Sequence, residues 1–232
     1  MSMRLECRNL HYRYPAAETP LFSNCGFSIE GPGFHALFGP SGVGKTTLAR
    51  LLVSRPENCS GTVSMPGISQ VLYAYNTERL PDWAGIGIHL KRVVPPEMAD
   101  QREALVERFG MADLMESRFS QLSLGQKNRI NLIRYLLQDF DLLIMDESLA
   151  NVDEKTRERI LMEIKERFPD KLFLYISHNI VEVARFCRKI LVLRGSDKTP
   201  QAVVVDGLDL TKGAPVERRA LDQTLLEIMN AA

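Results

Sequence analysis

Cysteine is scarce in this chain: four in 232 residues, at Cys7, Cys25, Cys59 and Cys187, with no Cys-x-x-Cys pair among them. That scatter excludes a zinc ribbon and a disulfide framework, and it suits a reducing compartment. Net charge is missing as well. Lysine plus arginine and aspartate plus glutamate each number 29, so the chain as a whole presents no field for a polyanion, and no nucleic-acid partner is expected. Apolar runs such as Leu142 to Met145 fall far short of the roughly 20 residues that cross a bilayer, so any work at a membrane has to use another chain. Met1 to Leu10 is interrupted by charge and has no continuous apolar stretch, which reads as mature protein and not as a signal peptide. Internal repeats and low-complexity tracts are also lacking. What remains is ordinary globular composition, 45% hydrophobic and 25% charged, enough to bury a core.

Short apolar runs alternate with helical spacing along most of the chain. Phe34 to Phe38 reads as a strand, followed by a glycine-rich turn and a helix over Thr46 to Ser54 with Leu48, Leu51 and Leu52 on one side. Leu142 to Met145, Leu172 to Ile176 and Ile190 to Leu193 read as strands separated by helices at Glu154 to Phe168 and Ile180 to Phe186. This alternation predicts a mainly parallel sheet. Between about Asn76 and Ser123 the texture changes to helix-like stretches such as Arg102 to Phe109 without comparable strands, which predicts a small helical subdomain inserted into the α/β core. The division expected is a nucleotide-binding core at about 1–75 and 124–232, with the helical part at about 76–123. An added strand at Ala202 to Val205 and a closing amphipathic helix over Glu217 to Met229, with Leu221, Leu225 and Ile228 on one face, complete the reading.

The string Gly39-Pro40-Ser41-Gly42-Val43-Gly44-Lys45-Thr46, followed by Thr47, matches the phosphate-binding loop in full and sits between a predicted strand and a predicted helix. Glycines let the backbone wrap a phosphate without Cβ obstruction, and the N–H groups and helix N-terminus then face negative charge. Lys45 neutralises the terminal phosphates, and the Thr46 hydroxyl is placed for magnesium. The plainer alternative is a glycine-rich turn. A second element, Leu142-Leu143-Ile144-Met145-Asp146-Glu147, is an apolar strand ending in two carboxylates, where an open α/β sheet presents its ligands. Asp146 suits magnesium through water and Glu147 suits a general base, whereas an acidic pair standing alone would be a solvated strand end.

Several phosphate-loop families share those two elements. Leu122-Ser123-Leu124-Gly125-Gln126, shortly before the strand that ends in Asp146, resembles the signature of the ATP-binding cassette (ABC) family. The resemblance implies a phosphate-loop α/β core, an antiparallel β portion near the N-terminus, and a head-to-tail dimer in which the signature of one subunit closes over ATP on the other. Ser123 and Gly125 match phosphate-contacting positions, and Leu124 departs from the usual glycine; as plain structure, the same residues are a helix cap. Tyr14 matches the aromatic that stacks on adenine, with Tyr12 a neighbouring candidate and core packing the alternative. His178, in Ile176-Ser177-His178, matches the switch histidine that contacts the γ-phosphate. Asp153, in Asn151-Val152-Asp153, matches the aspartate that couples the two sites, and it also suits a helix N-cap. Ser148 and Ala150 depart from the usual proline and serine.

Aligning Arg79 to Trp83 with the similar segment of nitrate, sulfonate and taurine importers puts Asn76 where the family has a magnesium-linked glutamine. Trp83, Ile86 and Ile88 then lie near the groove that receives a helix of the membrane subunit, or else in the core. Taken together, the resemblance implies an ATPase that uses ATP and Mg2+. It would be attached to the cytoplasmic face of a membrane through a transmembrane permease, paired with a second ATPase subunit, and part of a system with a solute-binding protein. Two other readings stand beside it: a soluble cassette ATPase acting on nucleic acid or ribosomes, and a degenerate regulatory nucleotide binder.

Overall fold

A computed structural model describes residues 3–56, 58–76 and 78–232. The chain forms two compact units. One comprises Met1–Tyr73, Asp141–Asp146 and Pro169–Ala232; the other comprises Ala74–Phe140 and Glu147–Phe168.

The first unit begins with β1 (Arg4–Tyr12) and β2 (Phe22–Glu30), which pair antiparallel, and continues through β3 (Gly33–Phe38) into α1 (Lys45–Val53). β4 (Cys59–Ser64) pairs antiparallel with β1, giving a three-stranded sheet ordered β2-β1-β4. After β5 (Val71–Tyr75) the chain leaves for the second unit. It returns as β6 (Leu142–Asp146) and, after a second excursion, as β7 (Leu172–Ile176).

The main sheet is ordered β5-β6-β7-β3-β8-β9, and the pairs β6/β7, β3/β7 and β3/β8 are parallel. β6 and β7 are buried along their whole length, which is why both read as continuous apolar runs and not as alternating ones. β8 (Lys189–Leu193) carries β9 (Ala202–Asp206) antiparallel along its outer side, and α7 (Arg218–Ala231) closes the unit with Ile228 and Thr224 buried. One apolar cluster joins Leu5, Leu10, Phe22 and Ile29 of the small sheet to Leu37, Leu48, Leu52, Ile144, Leu174 and Leu191.

The second unit contains α2 (Ile86–Val93), α3 (Ala99–Arg108), α4 (Leu124–Leu136) and α5 (Glu154–Arg167); α6 (Ile180–Phe186) belongs to the first. It therefore holds α4 and α5 as well as 76–123. Ile86, Leu90, Leu105, Phe109, Phe119, Ile130, Ile133, Ile160 and Ile164 are buried here. Arg129 ties α4 to the end of α3 by donating to the carbonyl of Phe109 at 2.8 Å, satisfying an acceptor the helix terminus leaves open.

Candidate functional site

In the first unit, the register decides what the end of the main sheet presents. Leu37 pairs with Ile176, and Ile176 pairs with Asp146, so β3, β7 and β6 finish in one row. The loop 39–44, the Ser177-His178 step and the Asp146 carboxylate all leave from that row. This is the carboxyl edge of a parallel sheet, where α/β folds place their ligands.

The loop has the backbone its sequence demands. Gly39, Gly42 and Gly44 all take positive φ, and a Cβ on Gly39 would lie 2.4 Å from the Leu193 carbonyl oxygen, so only glycine fits there. Gly44 precedes α1 without a side-chain cap, which leaves the first N–H groups of the helix available to an anion. Lys45 is 6% exposed and donates to the carbonyls of Gly39 at 2.8 Å and Pro40 at 2.9 Å. The side chain is thereby laid back across the loop with its ammonium held on backbone oxygens. Pro40, Ser41 and Thr46 are exposed, and Val43 is half-buried. Tyr14 and Thr47 share a hydroxyl–hydroxyl hydrogen bond of 2.6 Å; the Tyr14 ring remains 46% exposed and stands edge-on to the buried Tyr12. Of the two tyrosines, Tyr14 is the ring with a free face.

Asp146 is buried and accepts a hydrogen bond from the Tyr73 hydroxyl at 2.7 Å. Burial, with the Asp146 carboxylate next in effect, pushes the Tyr73 phenol well above its ordinary range, so it stays a donor at any physiological pH. Thr46 Oγ1 and the Asp146 carboxylate would offer a cation few side-chain oxygens, and no cluster of three or more His, Cys, Asp or Glu able to hold a metal occurs among the described residues. Such a donor set fits magnesium, which keeps water and takes phosphate oxygens, better than it fits a cation needing a full protein cage. His178 is exposed. Beneath it, Glu182 accepts from Tyr175 at 2.7 Å and from Ser177 at 2.8 Å, and Asn179 caps α6 by accepting from the Glu182 amide at 3.1 Å. These contacts fix the segment that carries His178. The sequence reading did not single out Tyr73 or Glu182; a tyrosine in one strand and an acid four residues after a histidine carry no motif.

In the second unit, Glu147 stands directly after β6 with φ of 52°, a left-handed conformation that a glutamate adopts only when its surroundings impose it. Ser148, where the family has proline, is buried and donates to the Ala74 carbonyl at 2.9 Å. Ser123 caps α4 reciprocally with Gln126: its Oγ accepts from the Gln126 amide at 3.3 Å, and its own amide donates to Gln126 Oε1 at 2.8 Å. Gly125 is required by packing, since a Cβ there would lie 2.2 Å from the Asn151 carbonyl oxygen. The signature turn and the Asn151-Val152-Asp153 turn therefore touch, backbone against backbone. Leu124 is exposed.

Asp153 caps α5, accepting from the Thr156 amide at 2.9 Å; the Thr156 backbone bond is also what holds its carboxyl below the usual range. Asn76, the residue aligned with the family's magnesium-linked glutamine, accepts from Asn128 of α4 at 3.0 Å through its amide oxygen. Trp83 is 78% exposed and Ile88 is exposed, whereas Ile86 is buried, so the apolar group divides between surface and core.

A glycine loop wrapped for phosphate at the head of a helix, beside an acidic strand end of the same parallel sheet, defines a phosphate-loop ATPase. The ABC transporter family model matches residues 22–150, more than half of the chain, and the chain belongs to that family. It is 27% identical to the phosphonates import ATP-binding protein PhnC 1 of Ruegeria sp. (strain TM1040), over 93% of this chain and 97% of that protein. It is 33% identical to the molybdenum import ATP-binding protein ModC of Brucella melitensis, over 78% of this chain and 56% of that longer protein. It is 28% identical to the taurine import ATP-binding protein TauB of Pseudomonas putida, over 82% and 78%. A solved ATP-binding subunit of an ABC transporter shares the fold with a TM-score of 0.76 at 20% identity, covering 97% of this chain and 99% of that one. The chain is thus an ATP-binding ABC ATPase, and no helix among the described residues is long and apolar enough to cross a membrane.

Proposed function

We propose that this chain is the ATP-hydrolysing subunit of an importer for a small solute, and that it works as a dimer on the cytoplasmic face of a membrane beneath a separate permease. The observation that carries the nucleotide chemistry is Lys45 held across the loop by Gly39 and Pro40, with Asp146 ending the neighbouring strand row. The import direction rests on the relatives, whose names are those of import ATP-binding proteins. A solute-binding protein belongs to the same wider system. The permease reading is supported by Trp83 and Ile88: an exposed indole and an exposed isoleucine five residues further along provide apolar anchors for a short helix of a membrane partner.

In this reading residues 1–232 act as a single ATPase domain, with 76–123 its helical part. Tyr14 offers its free face to adenine. The loop N–H groups of 39–47 and Lys45 receive the phosphates, and Ser123, Gly125 and Gln126 of a second subunit close over them. Thr46 and Asp146, with Asn76 a further candidate, are the residues that would hold magnesium, and when bound it would supply charge neutralisation on the transferring phosphoryl group. Glu147 takes the proton from the attacking water while His178 donates to the γ-phosphate oxygen, and Asp153 links one site to the other across the dimer. Closure does work on the permease only if ATP favours the closed state over the open one.

The test is to tag the chain in its native cell, solubilise membranes gently with ATP present, and identify what copurifies in equal amount. A multi-span membrane protein is the expected result. Recovery only with RNA, DNA or ribosomes would overturn the transport reading and leave the ATPase in place.

A further inference from the structure

Five of the α4 side chains that reach other parts of the second unit lie on one stripe of the helix. Asn128 donates to Asn76 at 3.0 Å, Lys127 pairs with Asp82 at 3.0 Å, and Asn131, Arg134 and Tyr135 all donate to the carboxylate of Glu78. Positions 127, 128, 131, 134 and 135 span about a third of the helix circumference at 100° per residue. Asn76, Glu78 and Asp82 are thereby tied to the helix whose N-terminus holds Ser123 and Gly125.

Glu78 is the centre of this arrangement. Its Oε2 takes the Asn131 amide and the Tyr135 hydroxyl at 2.8 Å each, and its Oε1 takes Arg134, whose guanidinium also lies 5.0 Å from the Tyr135 ring centroid. The glutamate and the arginine are both largely removed from solvent, at 14% and 18% side-chain exposure, so this is not a screened surface pair. The Lys127–Asp82 pair is more open and contributes little.

Arg129 makes one bond on another side of the helix, to the Phe109 carbonyl; the rest of α4 is held by Ile130, Leu132, Ile133 and Leu136, and apolar burial is not directional. It tolerates a small rotation of the helix about its axis. Three hydrogen bonds converging on one carboxylate do not, because each fails as its angle departs from linear. Glu78 therefore supplies most of the directional restraint on the rotation of α4, beside the Arg129 bond and the packing of Gly125 on Asn151, and so bears on the direction in which Ser123 Oγ and the amide of Gly125 face. The stretch that does this begins only three residues after Tyr73, which donates to Asp146.

We propose that Glu78 is a positioning residue for ATP-driven closure: it locks the stretch carrying Asn76 to the signature helix, so that the two move together. The inference rests on the shared-site dimer proposed above. The test compares Glu78→Gln, which keeps shape and removes charge, with Tyr135→Phe, which removes one of the three bonds. Each is made in the full-length chain and again together with Glu147→Gln.

MgATP affinity of the dilute single subunit should stay within about twofold, because the phosphate loop is untouched. Turnover of the Glu78→Gln chain, and ATP-dependent self-association of its Glu147→Gln form, should each fall about tenfold, with Tyr135→Phe in between. Unchanged self-association and turnover in folded Glu78→Gln would overturn the proposal. So would a parallel loss of ATP affinity and melting temperature, which would mark a merely structural glutamate. If Glu78→Gln fails to fold, Tyr135→Phe decides by the same criterion. Absence of ATP-driven association in the Glu147→Gln protein itself would instead overturn the shared-site reading, and this inference with it.

Discussion

Both units have buried apolar cores, but they fasten their functional segments differently. The first fastens its phosphate loop to a sheet whose strands β6 and β7 are wholly buried, so the loop, Asp146 and His178 inherit fixed positions from strand register. The second fastens its signature helix to neighbouring segments through carboxamides, a carboxylate, a guanidinium and a phenol. An apolar core set by register resists displacement at every point, whereas a polar clamp can be released at one. Chemistry that must be pre-organised sits on the first kind of support, and the parts proposed to move as ATP binds sit on the second.

Removing a charge from each side tests that contrast most severely. Lys45→Ala should reduce nucleotide binding and hydrolysis by about a hundredfold or more, since the ammonium is the side-chain charge held over the loop. Glu147→Gln should leave ATP binding intact while slowing hydrolysis by about a hundredfold or more; undiminished hydrolysis in the pure protein would remove the general-base assignment.

Next in size are the close backbone approaches, one in each unit. Gly39→Ala and Gly125→Ala both force a Cβ to within 2.4 Å and 2.2 Å of a carbonyl oxygen. Each should cost about 1–3 kcal/mol in denaturant unfolding. Gly39→Ala should also weaken nucleotide binding, while Gly125→Ala should spare binding and lose turnover. Equal effects of the two on ATP affinity would erase the distinction between the units.

A pH measurement isolates the first unit. His35, on β3, is fully buried, and neither ring nitrogen makes a hydrogen bond of good geometry among the described residues, the Gly31 backbone being its nearest polar neighbour in effect. Burial lowers its pKa to about 4, the Arg188 and Lys189 charges add to that, and the Gly31 backbone and Asp209 oppose it. Because the folded value lies below the unfolded value of 6.5, the unfolded chain takes the proton first as pH falls. The stability due to neutral His35 is complete above pH 6.5 and is lost between 6.5 and about 4. Urea unfolding should show about 2 kcal/mol less stability at pH 5 than at pH 7.5 from this residue, and His35→Leu should flatten that difference. The smallest effect expected is that of Tyr73→Phe. Losing one hydrogen bond to Asp146 should raise the magnesium concentration for half-maximal nucleotide binding several-fold with little change in melting temperature.

Much of the sheet was legible because buried parallel strands announce themselves: Leu172–Ile176 has the predicted ends, and Leu142 and Lys189 begin strands within a residue of expectation. The small antiparallel sheet was less so. β1 is irregular, with register shifts between Cys7 and Leu10, and β4 has no fully buried residue, so neither shows clean alternation. The phosphate loop was legible in full, since its chemistry is carried by consecutive residues. Glu78 was not, because its donors are recognisable only when α4 is wound and positions 131, 134 and 135 come to one side.

The sequence by itself determined the phosphate loop, the paired carboxylates at a strand end, the signature turn and the alternation that requires a parallel sheet, because each of these is local in the chain. Tertiary structure alone decided that Tyr73 serves Asp146, that Asn76 meets Asn128, that Gly125 is needed against Asn151, and that Trp83 is exposed. Each of those depends on groups distant in sequence, or on what surrounds a residue in space. A linear pattern encodes neither, since burial and hydrogen-bond partnership are properties of packed elements and not of residue types.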